Sequence, residues 1–238
     1  MVTYHKYAIA IGIWALLFGA SFYWMTSREE EQLLVIQKAI NNVEDWQTYQ
    51  SKQVIWADDE QVIELHSRTR LDPDLTWVSS RAKLTDTEDF SFEMFFSSDV
   101  FYIHSTDPEN WKKVDYTHPV AGELEGSREP TKFWLRLLKH TKQMKREIEN
   151  GIQHYTLELK PFRDEVHGMR LEDVTGATME LWLSKETLVL QKMKVHVELK
   201  PSITKIFNQM DYLIEFSDVN QPVEIELPSA AEKAEKLQ

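Results

Sequence analysis

The chain has 238 residues, with 27 Lys and Arg against 39 Asp and Glu, a formal net charge of −12 and no cysteine. That balance argues against nucleic acid as a partner. The missing cysteine excludes disulfides, a disulfide-stapled scaffold and a lipidated cysteine behind a leader.

The N-terminus opens with an apolar run. Tyr7 to Met25 carries no formal charge over nineteen residues, and at about 1.5 Å per residue this nearly crosses a hydrocarbon layer of about 30 Å. Gly19, Ala20 and Ser21 offer the small-x-small pattern of a cleaved leader, and a buried globular helix is a third reading. The run continues through Phe22, Tyr23, Trp24 and Met25, which suits the aromatic belt of a spanning helix. Residues 1–28 are therefore read as a membrane anchor or uncleaved signal segment. The protein is expected in the cell membrane as a single-pass protein. With Lys6 before the run and Arg28 among Glu29, Glu30 and Glu31 after it, the soluble domain is expected outside the cytoplasm.

Residues 29–228 read as one domain, since Gly and Pro form no linker and no solenoid repeat recurs. Ser27 and Glu30 have capping-box spacing, and Leu33, Ile36, Ile40 and Val43 recur at helical spacing until about Glu44. From Trp46 the period falls to two. "YQSKQVIW" and "QVIELHSRTRL" flank a turn at Asp58, Asp59 and Glu60. Alternation returns in "SFEMFF", "HYTLELK", "TMELWLS", "KVHVELK" and "DYLIEFS", and Asn150-Gly151 is a type I′ hairpin signal. These runs predict an antiparallel sheet of about nine to eleven strands whose apolar face needs a cover.

"PTKFWLRLLKH" predicts that cover: Pro130 opens a helix, with Phe133, Trp134, Leu137 and Leu138 as its apolar stripe. Lys132, Arg136 and Lys139 lie beside the stripe, within a basic run that includes Arg128, Lys142, Lys145 and Arg146. Such a run suits contact with a membrane surface or another anion, or plain solvent exposure. "PFRDEVHGMRLEDV" reads as weakly helical or irregular cover, and residues 229–238 as a flexible tail.

Signals for chemistry are sparse. The eight histidines form no metal-ligand motif, and no phosphate-cradling glycine loop or nucleophile elbow is present. Asp164, Glu165 and His167 suit a cation site, a proton exchanger or a charged surface; Asp58, Asp59 and Glu60 suit calcium or a plain turn. No catalytic residue, metal or cofactor is expected.

The order of elements resembles the LolA/LppX-type superfamily of bacterial lipoprotein carriers, in a non-lipidated Gram-positive form, from about Glu31 to Pro228. "FYIHSTDPENWKKV", with Phe101, Tyr102, Trp111, Lys112 and Lys113, is similar to the relatives' strand, turn and tryptophan-lysine element, and "QMDYLIEFSDVNQPVEIELP" to their last long strand. The chain departs from them where a lipobox would place Cys. The resemblance implies a mainly β fold with α cover: a large curved antiparallel sheet, an incomplete β-barrel, packed against an N-terminal helix and a second helix. It implies a non-enzymatic carrier or sensor of a lipid or other apolar ligand. The alternative is a protein-interaction module of the cell envelope or spore with a closed core. Candidate ligand-lining residues are Phe92, Met94, Phe96 and Trp134; Leu157, Leu159, Met179 and Leu181; and Val197, Ile214 and Phe216, with Tyr155 on the same alternation. Each also suits ordinary core packing.

Overall fold

The computed structural model describes residues 29–83, 88–105, 110–202 and 205–237. The chain divides into two compact units, Met1–Lys38 and Ala39–Gln238. In the first, residues 29–38 are helical, within a helix α1 that covers 29–41. The second opens with the last residues of α1, continues as a 3₁₀ turn at Asn42–Asp45, and buries Ala39, Ile40 and Val43.

Two meanders build the second unit. The first comprises β1 (Thr48–Ala57), β2 (Glu60–Leu71), β3 (Asp74–Lys83), β4 (Asp89–Ser97), β5 (Val100–His104) and β6 (Lys112–Asp115). Three short helices follow: α2 (Val120–Glu123), α3 (Glu125–Arg128) and α4 (Lys132–Leu138). The second meander has β7 (Thr141–Glu149), β8 (Ile152–Leu159), β11 (Val174–Ser184), β12 (Leu190–Leu199) and β13 (Gln209–Ser217). Between β8 and β11 a separate hairpin forms from β9 (Asp164–Val166) and β10 (Met169–Leu171). The chain ends with α5 (Ser229–Glu232) and β14 (Glu235–Lys236).

The twelve-stranded sheet runs β14-β6-β5-β4-β3-β2-β1-β13-β12-β11-β8-β7. Its pairings are antiparallel except for β14 beside β6. The meanders meet where β1 pairs with β13, and the sheet stays open, with β14 and β7 as its edges. This topology explains the helices. The link from β6 to β7 must pass from one end of the sheet to the other, so it crosses a face, and α2 to α4 lie on that link.

Register follows from tight turns. Asp58 and Asp59 adopt φ of 48° and 68°, and Asn150 and Gly151 adopt 50° and 78°, the left-handed pair that a type I′ hairpin requires. Asp58 is further held by accepting from the backbone N–H groups of Asn208 and Gln209 at 2.9 and 3.0 Å. With register set, alternation sends every second side chain to one inner face. Across the sheet, Phe101, Phe96 and Thr76 align, as do Phe216, Ser51 and Ser67, and Tyr212, Val195, Met179 and Leu157.

Two expectations need revising. The anchor expected at Tyr7–Met25 lies outside the described residues, and among the described residues no helix is long and apolar enough to cross a membrane. The helical residues 29–41 would span only about 20 Å and carry Glu29, Glu30, Glu31 and Lys38. This corrects the single-pass placement, the signal anchor and the membrane as a partner. Second, "DEVHGMRL" is no helix: His167 and Gly168, at φ of 47° and 77°, form a two-residue turn between β9 and β10. In the C-terminal segment, α5 and β14 lie against the sheet. Ala231 is fully enclosed and, with Ile225, joins Phe95 and Trp111 in a cluster on the outer face, so this end of the sheet is covered on both sides.

Candidate functional site

The inner face has two apolar wings. On one, Met94 and Phe96 are buried with Leu65, Val78, Phe101 and Val114, while Phe92 is half-buried against them. Val120, Ala121 and Leu124, from α2 and the link to α3, cover this wing. On the other, Leu157, Leu159, Met179, Leu181, Val197, Ile214 and Phe216 are buried, as is Tyr155. The alternation thus brings all ten strand candidates to one face, in two groups.

Between the wings runs a polar strip. Ser51 and Ser67 face each other across β1 and β2 with hydroxyl oxygens 2.7 Å apart; Thr76 donates to Thr69 at 3.2 Å; Gln53 is wholly enclosed. On the cover side, Ser127 and Thr131 are buried too. A groove of about 360 Å³ opens over this strip, lined by Tyr49, Thr69, Thr76, Arg128 and Glu129 among others.

α4 crosses the junction of the wings. Of its stripe, Phe133, Trp134 and Leu137 are buried, while Leu138 is half-buried. The Trp134 ring lies 5.0 Å from that of Tyr212 on β13, inclined at 35°, with Phe133 5.8 Å from the same ring. The Tyr212 hydroxyl donates to Gln53 Oε1 at 2.5 Å, and His167 Nε2 lies 3.2 Å from that oxygen. Burial pushes the Tyr212 phenol well above its ordinary value and the His167 imidazole down to about 4, so His167 is neutral at pH 7 and its Nε2–H donates. With Gln53 Oε1 accepting twice, the amide Nε2 has no acceptor, while the Trp134 indole N–H is directed to the Tyr212 hydroxyl oxygen. One N–H donor thus lies unpaired where α4 meets the sheet, in an interior where such a group is costly to leave unmet.

The β9–β10 hairpin closes this site from the side. Arg136 donates from Nε and Nη2 to the Asp164 carboxylate at 3.0 and 2.9 Å, and from Nη2 to the Glu165 carbonyl at 3.2 Å. Gly126 lies close to it: a Cβ there would stand 3.1 Å from the His167 ring, which would have to give by a few tenths of an ångström. A cleft of about 240 Å³ remains, lined by Glu129, Lys132, Phe133, Arg136, Asp164 and His167 and the glycines around them.

The basic face of α4 is accordingly matched by acid: Lys132 pairs with Glu129 and Arg136 with Asp164, while Lys139 is exposed at the C-cap. Lys142 and Lys145 lie on β7, paired with Glu158 and Glu147. Among the described residues no group of three or more His, Asp or Glu side chains is placed to hold a metal ion. Sequence reasoning passed over Gln53 and Gly126. Gln53 was visible as a polar residue in the apolar phase of Tyr49 and Ile55; the close approach of Gly126 to residue 167 is one that local sequence does not announce.

Among solved structures, the chain is similar to the lipoprotein LppX of Mycobacterium tuberculosis, with 13% identity and a TM-score of 0.46, covering 82% of this chain and 97% of that one. It is also similar to LprF from Mycobacterium bovis, with 11% identity and a TM-score of 0.49, covering 85% of this chain and 98% of that one. No family model and no curated protein matches.

Proposed function

We propose that the chain is a non-enzymatic binding protein that carries or senses a lipid or similar amphipathic ligand between the inner sheet face and its helical cover. The observation behind this reading is the pairing of a polar strip with flanking apolar wings beneath a thin cover, with the unpaired donor Gln53 Nε2 at the strip's end. A ligand with an apolar body and an oxygen-bearing head matches both: its chain would replace side-chain contacts on a wing, and an oxygen of its head would accept from that donor. Entry requires α4 to move, since Met179, Leu181 and Ile214 are fully enclosed as the chain stands.

That same enclosure favours a second reading, an interaction module that uses the fold with a closed core. Mass analysis of an organic extract of the purified protein, followed by titration with a fluorescent fatty acid, separates the two. Co-purified lipid, or saturable probe binding weakened by Gln53→Leu, supports the first. A clean extract and no saturable binding overturn it and leave the second.

A further inference from the structure

Among the described residues, β7 is one of the two edges of the sheet, and it is long and open. Its nine residues, Thr141–Glu149, are mostly exposed, with Ile148 half uncovered at 50%. A strand of this length with a free row of N–H and C=O groups is a template for another strand. Its charges do not simply block pairing, because they are arranged to complement themselves.

The register can be derived. Asn150 and Gly151 form a two-residue type I′ turn, so Glu149 and Ile152 are a hydrogen-bonded pair, and Glu147 with His154 and Lys145 with Thr156 follow. The backbone groups of Met144, Arg146 and Ile148 therefore point to the free edge. A second antiparallel strand must hydrogen-bond to these residues. If the second strand is another β7, three registers centre the two-fold axis on the strand's middle. Centred on Lys145, the axis sets that lysine against itself; centred on Glu147, it does the same with two carboxylates. Centred on Arg146, it places Lys145 opposite Glu147 twice on the outer face, and Met144 opposite Ile148 twice on the inner face. Only the two Arg146 oppose like with like, and each guanidinium lies over its own Tyr155 ring, 5.7 Å from the centroid.

We propose that β7 is a self-association edge: it pairs antiparallel with β7 of a second copy, about a two-fold axis at Arg146, joining two sheets into one. The inference stands apart from the ligand reading, since no residue of the α4 site takes part. Two strands bury little surface and the axial arginines repel, so the dimer is weak and concentration-dependent.

The absence of cysteine makes the test clean. In the full chain, Arg146→Cys puts two thiols across the axis in a hydrogen-bonded pair, where Cα atoms about 5.5 Å apart suit a disulfide. Under mild oxidation this variant is expected to form covalent dimer at least tenfold faster than Glu186→Cys, a control on an exposed turn. Adding Glu147→Lys should slow it about tenfold, and adding Lys145→Glu to that pair should restore it. Cross-linking no faster than the control, indifference to charge reversal, or faster cross-linking through Lys145→Cys would each overturn the proposal.

Discussion

The indole of Trp134 lies over the phenol ring of Tyr212, 5.0 Å between centroids, and so joins the helical link to the strand where the two meanders meet. Both side chains are almost wholly enclosed. This contact decides whether the cover is a fixed lid or a loose one.

Trp134→Ala should therefore destabilise the second unit by about 3 to 5 kcal/mol, read from the denaturant midpoint. Trp134→Phe keeps most of the packing and removes only the indole N–H, so its loss should be much smaller. Equal losses for the two variants would mean that the indole ring is not packed as described.

His167 gives stability a pH dependence of known sign. Its folded value, about 4, lies below the ordinary 6.5, so between these the unfolded chain binds the proton and the folded chain does not. Stability should fall as pH drops from about 6.5 to about 4, by up to about 3 kcal/mol, and this contribution should level off below. His167→Asn tolerates the positive φ and cannot titrate, so unfolding curves at pH 7, 5.5 and 4 should show a shallower decline for the variant. Identical slopes would remove His167 as the cause.

Arg136→Met removes the bidentate clamp on Asp164 while keeping the aliphatic stem. The cost to global stability should be about 1 kcal/mol, since the pair is partly exposed. The larger effect is local: amide exchange at residues 164–171 should quicken while β11 and β12 stay protected. Unchanged exchange there would show that the hairpin is held by other contacts.

Within the turn between β1 and β2, substitutions at two neighbouring residues should have opposite signs. Asp59→Gly relieves a left-handed backbone at φ 68° and should stabilise by a few tenths to about 1 kcal/mol. Asp58→Ala leaves the N–H groups of Asn208 and Gln209 without their carboxylate and should cost about 1 to 3 kcal/mol. Thermal unfolding of the two variants side by side checks the contrast.

Deleting residues 229–238 tests the outer cluster. A frayed tail would leave stability unchanged, but loss of Ala231 uncovers Phe95 and Trp111, so the truncated chain should unfold at lower denaturant and expose a red-shifted tryptophan. An unchanged midpoint would return the segment to a passive tail.

Much of this architecture is local in origin. Alternation in "SFEMFF" or "TMELWLS" determines which side chains share a face, because successive side chains in an extended chain must point oppositely, and Asn150-Gly151 determines a tight reversal because both residues tolerate positive φ. The stripe on α4 is equally legible, as helical spacing alone groups Phe133, Trp134 and Leu137. For the same reason the candidates from Phe92 to Phe216 could be placed on one face before any strand order was known. His167-Gly168 carried a turn signal too, but its flanking strands are three residues each, too short for a period to show.

What the tertiary structure alone decided is everything that depends on distant partners. β1 pairs with β13 across more than 150 residues, and only that pairing brings Gln53 beside Tyr212 and, through the hairpin, His167 to both. The outer cover of Phe95 and Trp111 comes from a C-terminal segment with no strong apolar face, which period and propensity therefore could not mark. Periodicity reports what a residue's neighbours in the chain require, whereas burial of Gln53, enclosure of Ala231 and freedom of the β7 edge are set by which surfaces remain to be covered once the sheet has formed.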